Sequence, residues 1–148
     1  MNIFDNDKNK EDLLKALDND ENINILNTTF SDLNKIKLNV LEELNFEKKE
    51  ITTMLLKLKH YRYIDEIDNI KISKYIRWIL LTNLDDIHLN KGGVVLDVKM
   101  IDKKIAIVVK SFSGKIFNIK MDENLIFQKL TNQELVILSA MEYLTTTN

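Results

Sequence analysis

The chain has no cysteine and no proline among its 148 residues, and only three glycines and one tryptophan. Without cysteine there is no disulfide framework, thiolate nucleophile or cysteine metal site, so packing alone must hold the fold. That suits a reducing compartment. The three glycines build no phosphate loop. Lys91-Gly92-Gly93 and Ser113-Gly114-Lys115 lack the G-x-x-x-x-G-K-[ST] spacing, and neither lies between a strand and a helix, so both read as turns. Long apolar runs are missing too. Trp78 to Leu81 falls far short of the roughly 20 residues a membrane span needs. Met1 to Lys8 lacks the apolar stretch of a signal peptide. No charge dominates, since 21 Lys and Arg face 23 Asp and Glu for a net −2. This balance argues against nucleic-acid binding by the whole surface and leaves room for a local basic patch. The expectation is a soluble, cytoplasmic protein.

The 45% of hydrophobic residues suffice for a core, and the 30% of charged residues for a solvated surface. Asparagine, isoleucine and lysine are abundant; all have A/T-rich codons, so their numbers reflect the genome rather than a polar adaptation. The first ten residues are polar and expected to fray. Asp7 caps a short helix near residues 8–18 carrying Leu13, Leu14 and Leu17, and Ile23, Ile25 and Leu26 read as a short extended piece. Ser31 precedes Leu33, Ile36, Val40, Leu41 and Leu44, one apolar helical face that Asn45 ends. Ile51, Met54, Leu55, Leu58 and Tyr61 mark the next helix.

From about residue 63 the period becomes alternating. Tyr63-Ile64, Ile70 to Leu81, Val94 to Val98, Lys104 to Lys110, Lys115 to Met121 and Leu125 to Lys129 read as extended. Asp102-Lys103 and Ser113-Gly114 supply turns between them. Thr131-Asn132-Gln133-Glu134 has the form of a capping box and opens a helix through Tyr143 with little polar face. The pattern predicts an α+β protein: a helical, helix-turn-helix-like part (residues 1–66), then a small SH3-like five-stranded β-barrel or curled sheet with a C-terminal helix (residues 67–148).

The inventory of reactive groups is thin. His60 and His88 sit in different halves, and Asp85-Asp86-Ile87-His88 lacks further metal ligands at a recognised spacing, so it reads as a solvated loop. Glu42-Glu43 and Asp65-Glu66-Asp68 have no evident partner, and no G-x-S-x-G or S-x-x-K occurs. The sequence therefore points to no catalytic, metal or cofactor site and no small-molecule substrate.

Contact surfaces are better represented. The apolar C-terminal helix offers Ile137, Met141 and Leu144 to a protein partner, a larger assembly or a second copy. Tyr75 and Arg77 lie on the strand face opposite Trp78, whose apolar neighbours mark it as core. The alternative partner is nucleic acid, read by the second helix of the pair through Lys48, Lys49, Thr52 and Lys59, with Arg62 following. Leu56, Glu47 and Glu50 interrupt that basic arc, and lysines on a solvated helix face are commonplace.

The stretch Lys74 to Lys129 carries Tyr75-Ile76-Arg77-Trp78, then Gly92-Gly93 before an apolar strand, then Asn124-Leu125-Ile126-Phe127-Gln128-Lys129. It resembles small uncharacterised virion-associated or factory proteins of nucleocytoplasmic large DNA viruses. The resemblance implies a small barrel within a virion or virus-factory component, with no catalytic residues to carry over.

Overall fold

The computed structural model describes residues 7–147. Of the polar N-terminal segment expected to fray, residues 1–6 lie outside this range, and residues 7–10 already belong to a helix. Among the described residues there are four α-helices and six strands: α1 (Asp7–Asp18), α2 (Phe30–Glu42), α3 (Lys48–Lys57), β1 (Tyr61–Ile64), β2 (Tyr75–Leu80), β3 (Gly93–Ile101), β4 (Lys104–Ser111), β5 (Ile116–Lys120), β6 (Asn124–Lys129) and α4 (Asn132–Thr147). The protein is α+β, with helices, a six-stranded antiparallel sheet and a C-terminal helix. It divides into two compact units, one formed by residues 1–40 with 130–148 and the other by residues 41–129. The division therefore does not follow the boundary near residue 66 that the change of period suggests.

The first unit joins both ends of the chain. Its core is Ala16, Ile25, Leu33, Leu130, Ile137 and Leu138, drawn from α1, α2, α4 and the segments beside them. The piece around Ile23 and Ile25, expected to be extended, is a 3-10 turn over Asp20–Ile25. Asn19 explains the difference, because its side chain accepts a bond from the Glu21 amide at 3.0 Å and starts the turn. The buried Asn22 donates to the Ala16 carbonyl at 2.9 Å and to Gln133 Oε1 at 3.0 Å, tying the turn to both α1 and α4. The capping box of α4 is complete. The Thr131 amide donates to Glu134 Oε1 at 2.9 Å and the Glu134 amide to Thr131 Oγ1 at 3.1 Å. Thr131→Ala is expected to cost about 1 kcal/mol, read by urea denaturation. An unchanged midpoint would mean that the box is redundant to packing.

In the second unit the strand order is β1-β6-β2-β3-β4-β5. The sequence pattern anticipates five strands; the sixth is β1, which pairs Tyr61 to Ile64 with Lys129 to Ile126. Tyr63-Ile64 reads as extended but lies on the helical side of the expected boundary, so it does not look like part of the sheet. The sheet is open, with β1 and β5 at its edges.

Both faces of the sheet carry apolar cores. On the inner face, Ile64, Ile76, Trp78, Val95, Ile107, Val109, Ile119 and Ile126 pack on one another. On the outer face, Ile79 and Phe127 meet Leu41, Ile51, Met54 and Leu58, so α3 covers one side of the sheet. This is why Ile79 is buried although it shares a strand face with the exposed Tyr75. Two local devices shape the sheet. The β3–β4 register shifts between Val95 and Asp97, a bulge that bends the strand and increases its twist. Asp102 and Lys103, at φ of 52° and 66°, form the left-handed two-residue turn that matches the twist of a hairpin.

Candidate functional site

The outer face of the sheet, where α3 does not cover it, presents aromatic and cationic side chains across the strands. Cα partners in an antiparallel sheet point to the same side, so register places them. Tyr61 pairs with Lys129, Tyr75 with Val94, Val94 with Lys110, and Lys110 with Ile116. The two series meet where the Lys129 ammonium lies 5.8 Å over the Tyr75 ring. Tyr75 also stacks on Phe112, with centroids 5.8 Å apart and planes inclined by 27°. Tyr75 is 42% exposed and Phe112 67%. Arg77, two residues along β2 on the same face, is held by its Nε, which donates to the Asn90 carbonyl at 2.8 Å. Burial raises the Tyr61 hydroxyl above the ordinary tyrosine range, with the Arg77 charge opposing and Tyr75 adding.

The other exposed feature is the free edge of β5. The Ser111 amide donates to the Lys115 carbonyl at 2.8 Å, and the β4–β5 register continues from there through Lys110↔Ile116 and Val109↔Phe117. In an antiparallel ladder the bonded pairs alternate, so the backbone groups of Ile116 and Asn118 point away from β4. The side chains of Ile116, Phe117 and Asn118 are all exposed.

The residues singled out from sequence do not gather. Ile137 is 1% exposed and belongs to the core of the first unit, so its side chain presents almost no surface. Met141 packs partly buried against that core, and only Leu144, at 51%, is open. The nearly continuous apolar surface of α4 is used by its own unit. The basic series is split, with Lys48, Lys49, Thr52 and Lys59 exposed and Arg62 not. Arg62 is buried on the inner side of β1, opposite Gln128. Lys59 lies beyond the end of α3, and Thr52 turns its hydroxyl back to the Lys48 carbonyl at 2.9 Å. Lys49 borders a cavity of about 340 Å³ lined also by Phe46, Glu50, Met54 and His88. Of the strand pair, Tyr75 is exposed as expected and Arg77 only partly so. Sequence reasoning missed Phe112 and Lys129. The signal for Phe112 was an aromatic beside the Ser113-Gly114 turn, and for Lys129 a cation closing an apolar strand.

No protein-family model, curated protein or solved structure matches this chain.

Reactive groups are dispersed. His88 Nδ1 contacts Asp86 Oδ1 at 3.1 Å on the exposed loop, and not Asp85. Among the described residues no three His, Asp or Glu side chains converge where they could hold a metal ion. No helix among them is long and apolar enough to cross a membrane. Charge is unevenly shared between the units. Residues 41–129 hold 16 Lys and Arg against 13 Asp and Glu, a balance of +3, whereas residues 1–40 and 130–148 hold 5 against 10, a balance of −5.

Proposed function

We propose that the chain is a non-enzymatic adaptor that accepts an extended segment of a partner protein along the free edge of β5. The observation that carries this reading is the outward-facing backbone of Ile116 and Asn118 on an edge strand that has no further neighbour in the sheet among the described residues. An edge of this kind is a template for strand addition, in which main-chain bonds supply affinity and alternate side chains supply selectivity. Ile116 and Phe117 offer apolar contacts on opposite faces, and Lys115 and Lys120 flank them. The matching segment alternates apolar and acidic residues. An SH3-like curl of the sheet and a place as a minor component of a large DNA virus particle both accord with this role.

Asn118→Pro tests it. Proline removes an outward N–H that no strand among the described residues uses, and edge positions tolerate it. The variant is expected to melt within a few degrees of the parent and to lose the proteins that co-purify with the parent from its native source. Asn118→Ala is expected to keep them. If both variants retain the same partners, the β5 edge is not where they bind.

A further inference from the structure

We infer that the exposed outer face of the sheet is a binding surface for single-stranded nucleic acid, centred on the Tyr75–Phe112 stack. The inference is independent of strand addition at β5, because it rests on side chains of the sheet face and not on backbone groups of its edge.

A single strand offers two things to a protein: flat base faces and a line of phosphates. Proteins that bind it without reading sequence answer with aromatic rings on which bases stack and cations that follow the backbone. Both answers are present. Tyr75 and Phe112 form a two-ring stack with 42% and 67% of their surfaces open. Lys129 stands over one ring at 5.8 Å, and Lys110 lies one strand beyond Val94 on the same face. Lys129 and Lys110 sit on β6 and β4, with β2 and β3 between them. At about 4.8 Å per strand they are separated by roughly 14 Å across the platform. Arg77, held by the Asn90 carbonyl, adds a third cation whose position is fixed before a ligand arrives.

The wider charge distribution agrees. Residues 70–129 contain 11 Lys and Arg against 6 Asp and Glu, a balance of +5 in a chain whose net charge is −2. The basic excess is thus carried by the stretch that forms β2 to β6. Duplex DNA does not fit, because its bases are already stacked inside the helix and only its phosphates would engage. An acidic polypeptide would satisfy the lysines and leave the rings idle.

The test uses the full chain and fluorescein-labelled oligo(dT) and oligo(rU) of about 20 nucleotides, longer than the site of a single small sheet domain. Fluorescence anisotropy is expected to show saturable binding of one or both, which also tells DNA from RNA preference. Three phosphate contacts predict a loss of about 20-fold in affinity between 50 and 200 mM salt. Tyr75→Ala and Phe112→Ala are each expected to weaken binding about 10-fold while leaving the salt slope unchanged. Lys110→Ala with Lys129→Ala should weaken binding and flatten that slope by about two contacts. Thermal melts run beside each variant, and the lysine pair, being exposed, keeps the test valid should an aromatic variant lose its fold. Absence of binding at 50 mM salt overturns the inference. So does equal affinity for a duplex of the same length, equal competition by polyglutamate, or aromatic variants that fold and bind like the parent.

Discussion

Ile137→Asp is expected to unfold the first unit at room temperature. The side chain is 1% exposed and belongs to a core cluster of six buried residues, itself included. Removing the aliphatic group alone costs about 2–5 kcal/mol, since a small core has few neighbours able to close the gap. A carboxylate in its place adds several kcal/mol more unless it takes up a proton. The sum is comparable with the about 5–15 kcal/mol that stabilises a whole domain. Circular dichroism at 222 nm reports the result, because α1 and α4 contribute much of the helix. Met141→Asp, at a partly buried position, should cost about 2 kcal/mol, and Leu144→Asp, half exposed, about 0.5 kcal/mol or less. The order Ile137, Met141, Leu144 follows burial. If all three variants kept parental helicity, α4 would have to be a surface presented to a partner.

The opposite expectation from sequence has an identifiable origin. Composition shows that α4 is apolar on nearly every side and says nothing about what surrounds it. A helix that closes the core of one unit and a helix offered to a partner share that pattern. Local signals were the legible part. The capping box at Thr131 and Glu134, the turn at Asp102-Lys103, the glycine turn at Gly114 and the inward side of Trp78 all depend on neighbours within a few residues. What stayed hidden depends on distant partners. β1 finds β6 across more than 60 residues, and α4 joins α1 across more than 110. The single-residue shift between Val95 and Asp97 changes which side chains share a face, and alternation alone cannot reveal it. Lys37 shows the same limit. It lies on α2 as an ordinary helical lysine, yet only 2% of it is exposed, and burial lowers its ammonium below the usual lysine range. The Tyr75–Phe112 stack joins residues 37 positions apart and was legible only at its Tyr75 end.

Gly92→Ala is expected to be the most damaging single-methyl change in the second unit, and a comparison among the three glycines shows why. At Gly114 an added Cβ meets nothing within 4 Å, but φ is +90°, so the cost is backbone strain alone, about 1 kcal/mol. At Gly93 φ is unexceptional, but the Cβ would lie 2.5 Å from the Lys110 carbonyl oxygen and 2.7 Å from Val109 Cγ1. Neither atom yields cheaply, because Gly93 pairs with Ser111 in the β3–β4 ladder and Val109 is buried in the inner core. Forced overpacking of this kind costs about 3 kcal/mol. Gly92 combines both penalties, with φ at +106° and a Cβ 2.5 Å from the Ile76 carbonyl oxygen, for about 4 kcal/mol. The loss corresponds to a fall in melting temperature of roughly 10 °C or more. The emission of Trp78, the chain's single tryptophan, reports it from the inner core beside Ile76. The ranking Gly92, Gly93, Gly114 separates clash from strain. It also locates the constraint, since the chain entering β3 passes Ile76 of β2 at Gly92 and Lys110 of β4 at Gly93 with room for a hydrogen atom and no more. Equal small losses at all three glycines would mean that β2 and β4 yield easily to a methyl group on β3, and that the sheet is looser at this joint than its register implies.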